Sequence, residues 1–212
     1  MVKLQLEIDD EVQEFNLPNS WDDITLEVYE KLAALKEVEN EFEQSLKILS
    51  AISGMDMETI YLIPIDSMEG VLDSLGFIKE KIVAKKVDSI RVNGNDYYLK
   101  NDFDKLNNGE VISLEILNKK YKDNPEEGMA EMLCLFLRKK KENGKLENFT
   151  PEFMDRADMF RKEVKVSEVN DLFVLLDKVE GVQTVKNIQI KNKSGTSSGY
   201  SQYAYDMEGA TQ

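Results

Sequence analysis

The stretch from Leu17 to Ile78 leaves the chain little choice, because its helix start and stop signals follow one another too closely for any long element. Thr25 is a good N-cap, with Ile24 before it and Tyr29 after it in the positions of a hydrophobic staple. Val28, Tyr29, Leu32 and Leu35 then share one helical face that ends near Lys36. A second helix is expected from about Glu39 to Ser53, with Phe42, Leu46, Leu49 and Ile52 as its stripe and Gly54 as its C-cap. Asp56 caps a short turn over Met57 to Leu62, which Pro64 stops. Asp66, with Glu69 three residues on, makes a box-like start for a further helix. Met68, Val71, Leu72 and Leu75 form its inner face and Gly76 its end.

On either side of this stretch the pattern changes to period two. Leu4, Leu6 and Ile8 alternate with polar residues, and Phe15 and Leu17 alternate again beyond Asp9-Asp10, which predicts an antiparallel hairpin. Val87 to Val92 and Asn95 to Leu99 flank Asn93-Gly94, a dipeptide that tolerates the positive φ of a tight primed turn. Asp102 to Leu106 suggests one short helical turn ended by Gly109, and the alternation over Val111 to Leu117 predicts a third strand.

Helices return further on. Asn124, Pro125 and Glu127 predict a capped start for a helix with Met129, Met132, Leu133, Phe136 and Leu137 on one side. Arg138 to Lys141 then sit at its C-terminus, where cations suit the macrodipole. Thr150-Pro151 opens another helix with Phe153, Ala157, Phe160 and Val164 at core spacing. Ser167 opens a third with Val169, Leu172, Phe173 and Leu176, ended by Gly181. Val182 to Lys193 reads as a last strand or an extended arm. From Ser194 the chain is rich in Gly and Ser with almost no aliphatic residues, the composition of a flexible tail. Tyr200, Tyr203 and Tyr205 could dock that tail onto a partner. The expected fold is α+β and helix-rich, with two small hairpin or sheet units. The expected division is an acidic hairpin-plus-helices region (1–80), a small sheet followed by a three-helix unit (81–190) and the tail (191–212).

Charge is distributed unevenly. Residues 1–80 hold 19 Asp and Glu against 5 Lys and Arg, which accounts for the whole net charge of −14; residues 81–190 hold 20 of each sign. An acidic third of this kind repels phosphate backbones, so nucleic acid is not an expected partner. Its plain reading is a set of solvated helices. It also suits a basic protein partner, through steering and complementarity. Asp22, Asp23, Glu27, Glu37, Glu39, Glu41 and Glu43 are the residues expected to carry such a contact, together with Trp21, which otherwise reads as a packed anchor.

Chemistry is hard to find. With no histidine, Ser-His-Asp and Cys-His schemes are excluded. Cys134 is the one cysteine, so no intramolecular disulfide can form, and its place in an apolar run marks it as a core residue. Gly144-Lys145 lacks the glycine that a P-loop needs five residues earlier. Asp102 and Asp104 before Asn107-Asn108-Gly109 only partly match a calcium loop, since Leu106 stands at the third ligand position. No cofactor or metal is expected. The N-terminus lacks a signal-peptide core, and the longest apolar run, 132–137, is far short of a membrane span, so a soluble protein made inside a cell is expected.

Residues 17–78 resemble tail assembly chaperones of long-tailed bacteriophages. The shared pattern is Trp21, Asp23, Thr25, Leu26 and Tyr29 at a helix start, then Gly54, Asp56, Glu58 and Ile60 in a short turn, then Pro64 and Asp66 before the next helix. The resemblance implies a non-enzymatic protein that acts in the host cytoplasm during assembly. It would hold the tape-measure protein and recruit tail-tube subunits, with oligomerisation left open. This chain departs from the family's usual shorter, mainly helical form by adding two hairpins and three C-terminal helices. Its Gly/Ser/Tyr tail also fits a structural or packaged component of the virion head, neck or tail. A carboxylate-dependent metal enzyme is the remaining, remote alternative.

Overall fold

In a computed structural model, which describes residues 2–8, 11–85, 87–100 and 105–172, the local turn and cap chemistry sets most of the elements. Asn93 and Gly94 take φ values of 48° and 73°, and so close the hairpin between β3 (Ile90–Val92) and β4 (Asn95–Leu99). The N-terminal hairpin also forms. β1 (Val2–Ile8) pairs antiparallel with β2 (Glu11–Leu17) from Val2 opposite Leu17 to Ile8 opposite Glu11, which sets Leu4 against Phe15.

The capping signals of the next stretch are realised with one shift and one correction. Thr25 Oγ1 accepts from the Val28 N–H at the start of α1 (Leu26–Ala34). For α2 (Glu41–Ser53) the cap is Asn40, whose side chain accepts from the Glu43 N–H at 2.9 Å, so the helix starts two residues later than expected. Gly54 ends it at φ 76°, the left-handed conformation that glycine adopts without strain. Asp56 accepts from the Thr59 N–H at 2.7 Å and starts α3 (Met57–Tyr61). The correction concerns Asp66. It does not cap α4 (Ile65–Ser74) but lies inside its first turn, because Pro64 occupies the cap position. Leu46, Leu49 and Ile52 of the expected α2 stripe are buried, whereas Phe42 is 49 % exposed.

The expected third strand over Val111–Leu117 is instead part of α5 (Asn108–Lys120). Its β-branched alternation is overridden by a complete capping box. Asn107 Oδ1 accepts from the Glu110 N–H at 3.0 Å, and Glu110 Oε2 accepts from the Asn107 N–H at 2.7 Å. Gly109 therefore lies within a helix and ends nothing. Asp102 and Asp104, in the expected short turn, lie outside the described residues.

α6 (Met129–Phe136) follows a 3-10 turn over Pro125–Gly128, and Asn124 makes no side-chain cap. Apart from Glu131 and Met132 its residues are buried, and it packs against α5, α7 (Ala157–Glu163) and the 3-10 turn Pro151–Arg156. A helix this apolar on nearly all sides belongs inside a core. It also stops sooner than expected. Leu137 and Arg138 leave it as β5, which pairs with β4 through Tyr98 opposite Arg138 and Leu99 opposite Leu137. The sheet thus has the order β3-β4-β5, and Arg138–Lys141 is not a helix terminus. Phe153, Ala157, Phe160 and Val164 are buried as their spacing predicts. Residues 166–172 are helical, with Val169 and Leu172 buried; Phe173, Leu176, Gly181, the 182–193 segment and the tail lie outside the described residues.

Residues on either side of position 80 are joined by backbone pairing. The Leu26 N–H donates to Val164 O and the Val166 N–H donates to Ile24 O, each at 3.0 Å, around an antiparallel bridge of Thr25 with Lys165. Ile24, Leu26, Val164 and Val166 are fully buried at that seam.

Candidate functional site

Two places could carry function, and they differ in how they handle charge. The first lies where β5 meets the start of α5. Glu110 and Arg138, only 2 % and 1 % exposed, face each other with Arg138 Nη2 donating to Glu110 Oε1 at 3.2 Å. Lys100 Nζ donates to both Glu110 oxygens at 2.8 and 2.6 Å. Arg138 also donates to the carbonyls of Cys134 at 2.6 Å and of Leu135, which the end of α6 leaves open, and to that of Leu137 in β5 at 3.1 Å. Its guanidinium lies 5.2 Å from the ring centre of Phe149 and 4.9 Å from that of Phe153. Burial pushes the Glu110 carboxyl up, but Lys100, the Asn107 N–H and Arg138 together outweigh it and hold the group below the ordinary range.

Beside this pair the segment from Lys139 to Glu147 folds back on itself. Lys140 bridges Leu146, and Gly144 takes φ 75° at the turn, which is the structural use of Gly144-Lys145. Glu147 Oε1 accepts from Arg156 at 2.5 Å and from the Lys139 N–H at 3.0 Å. A cleft of about 440 Å3 opens here, with Lys100, Glu110, Glu147, Asn148 and Phe149 in its walls. Its two carboxylates are already engaged by Lys100, Arg138 and Arg156. Cys134 behind it is buried and donates to Ala130 O at 3.4 Å; burial pushes its thiol up to about 12, which suits a core residue and not a nucleophile. Among the described residues no group of three or more Asp, Glu or Cys is placed to hold a metal ion. The arrangement ties the end of α6, the sheet and the start of α5 together. None of it was expected from sequence, although Asn107 and Glu110 three residues apart were a readable signal.

The second place is the acidic surface. Of the residues expected there, Trp21 is an internal anchor. Its Nε1 donates to Glu80 O at 3.0 Å, and its ring meets Tyr29 and Phe77 edge-on at 6.0 and 5.6 Å. Asp22 pairs with Lys85 at 2.8 Å, and that ammonium holds its carboxyl below the usual range. The Asp23 carbonyl accepts from Lys165 Nζ at 3.0 Å. These residues join the first helix to the rest of the fold. Glu27 and Glu43 make exposed i,i+4 pairs with Lys31 and Lys47. Glu39 and Glu41 face solvent beside exposed Phe42, and Glu37 closes the 3-10 turn Leu35–Glu37. Tyr200, Tyr203 and Tyr205 lie outside the described residues.

The same surface continues further along the chain than expected. Between Lys47 and Lys79 there is no basic residue, while Asp56, Glu58, Asp66, Glu69 and Asp73 fall within that interval. Ile60, Ile63, Met68, Val71 and Leu75 bury the inner side of α3 and α4. The outer side carries Tyr61, Leu62 and Ile65 in the open. No helix among the described residues is long and apolar enough to cross a membrane. No family model matches this sequence, and no curated protein and no solved structure matches it either.

Proposed function

We propose that the chain is a non-enzymatic assembly protein of a long-tailed bacteriophage, a tail assembly chaperone that works through protein-protein contacts in the host cytoplasm. The observation that carries this reading is the acidic helical surface of α3 and α4, which lies in an interval, between Lys47 and Lys79, that holds no basic residue. It leaves charge and apolar side chains facing solvent, whereas Glu110, Lys100 and Arg138 elsewhere in the fold are paired inside. The caps at Thr25 and Asp56 and the left-handed Gly54, which the family pattern requires, support it. The partner is the tape-measure protein, a long helical chain that needs its apolar faces covered until tail-tube subunits arrive.

Co-expression with the tape-measure protein of the same phage tests this reading. The soluble fraction of that protein is expected to rise when the chain is present, and an unchanged fraction overturns the chaperone role. The Gly/Ser/Tyr composition after residue 193 favours a second reading, a component that stays in the virion. Mass spectrometry of purified particles separates the two: a chaperone is absent, and a structural or packaged protein is present in stoichiometric copies.

A further inference from the structure

We propose that the outer face of the α3–α4 corner is a docking surface for a basic amphipathic helix of a partner protein, an inference that rests on reading the chain as a protein-binding factor. Tyr61, Leu62 and Ile65 are 65, 55 and 67 % exposed within five residues of chain, while Ile60 and Ile63 between and before them are turned inward at 1 and 7 %. Single exposed apolar residues are ordinary, but three together with an acidic rim mark an interaction surface. Pro64 sits at the corner with φ −57° and restrains it, so little order has to be gained on binding.

The rim states what the partner must be. Glu58, Asp66 and Asp73 are exposed and make no ion pair among the described residues. Asp66 and Asp73 are two turns apart on one side of α4. Gly70 lies between them, and nothing stands within 4 Å of where its Cβ would be, so a flat strip runs along the helix. Nucleic acid and anionic lipid are repelled by such a surface. A second copy of the chain would bring the same acids face to face. A helix with apolar residues at i, i+3 and i+4 and Lys or Arg beside them fits both features. Its apolar row seats on Tyr61, Leu62 and Ile65, and its cations meet Asp66 and Asp73.

The test uses the full chain and a dye-labelled helical Leu/Lys peptide, read by fluorescence anisotropy. Its controls are a Leu/Glu counterpart and a scrambled Leu/Lys sequence. The Leu/Lys helix is expected to bind and the two controls are not. Y61S/L62S/I65S is expected to weaken binding by about tenfold or more. D66K/D73K is expected to weaken it and to remove its dependence on salt. I112S/I116S, which alters exposed residues of α5, is expected to change nothing. Equal binding by the Leu/Glu peptide, full binding by Y61S/L62S/I65S, or an equal loss in I112S/I116S overturns the proposal. Thermal melts confirm folding, and if the triple variant does not fold, D66K/D73K decides. The probe is synthetic, so peptide binding without any effect on the tape-measure protein removes the phage role and leaves the surface. The reverse result removes the surface alone.

Discussion

Glu110 and Glu58 are both helix glutamates, and their surroundings are opposite. Glu110 is 2 % exposed and held by Lys100, Arg138 and the Asn107 N–H. Glu58 stands in solvent on α3, within an interval of sequence that contains no base. Around Arg138, charge serves as mortar. It closes the open carbonyls of Cys134 and Leu135 at the end of α6 and fixes the entry to α5. Along α3 and α4, Asp56 caps a helix, and Glu58, Asp66 and Asp73 make no ion pair among the described residues. The difference teaches that net charge alone says little: the same residue type is a buried structural link at position 110 and a solvated side chain at position 58.

The largest test of this contrast is Arg138→Met. It leaves Glu110 buried with one cation fewer, and should cost about 3–5 kcal/mol in urea unfolding, the usual penalty for breaking a buried pair from one side. Adding Glu110→Leu should recover part of that loss, because it removes the under-compensated carboxylate, while Lys100 and the Asn107 N–H then lose their acceptor. If the single variant is as stable as the parent, the buried network is not what holds this half together.

Packing should divide the two regions in the same way. A Cβ on Gly128 would meet the Tyr121 ring at 2.3 Å, and that ring is held by its hydroxyl donating to Glu131 at 2.9 Å. Gly128→Ala should therefore destabilise by about 1–3 kcal/mol. Gly70→Ala, in the open middle of α4, should stabilise by about 0.4–1 kcal/mol, since alanine has less freedom to lose. Thermal melts of both variants check the pair, and shifts of the same sign would break the contrast.

The smallest effect is a slope in acid. Burial acts to raise Glu110 and Glu147, but Lys100 and Arg156 respectively, with backbone N–H donors, hold both below the ordinary 4.5. A lowered folded value means that their stabilisation is complete above about pH 4.5 and is lost as pH falls through the lowered values. Glu30 behaves oppositely. Burial raises it despite Arg161 at 2.8 Å, so its share favours the fold at low pH and fades as pH rises through the raised value. Glu110→Gln should flatten the acid limb of a stability-against-pH curve, and Glu30→Gln should steepen it.

What the sequence makes legible is what local chemistry decides. Asn93-Gly94, Gly54, Thr25 and Asp56 each fix a turn or a cap through their own backbone or a neighbour three residues away, and all four are found in those roles. Val111–Leu117 misleads because β-branched alternation is a weaker constraint than the capping box at Asn107 and Glu110. Arg138 misleads more deeply. A basic run after an apolar helix reads as a solvated end, and the counter-charge that Arg138 meets inside lies 28 residues earlier in the chain. Trp21 and Asp22 look like contact residues for the same reason: Glu80, Phe77 and Lys85, which occupy them, are distant in sequence. The exposure of Tyr61, Leu62 and Ile65 beside inward Ile60 and Ile63 depends on which way one corner faces, and no periodicity reports that.

The seam between residues 24–26 and 164–166 has a bearing on synthesis. Lys165 reaches back 142 positions to the Asp23 carbonyl, and the backbone bonds beside it span 142 and 138. During translation the first helix emerges long before the residues that close over it. Loops of this length are slow to close, and apolar surface stays open meanwhile. Leu26 and Ile24 must therefore wait, uncovered, until the ribosome has released residue 166. A nascent chain stalled near residue 80 is expected to be open to proteases at a seam that the finished protein hides completely.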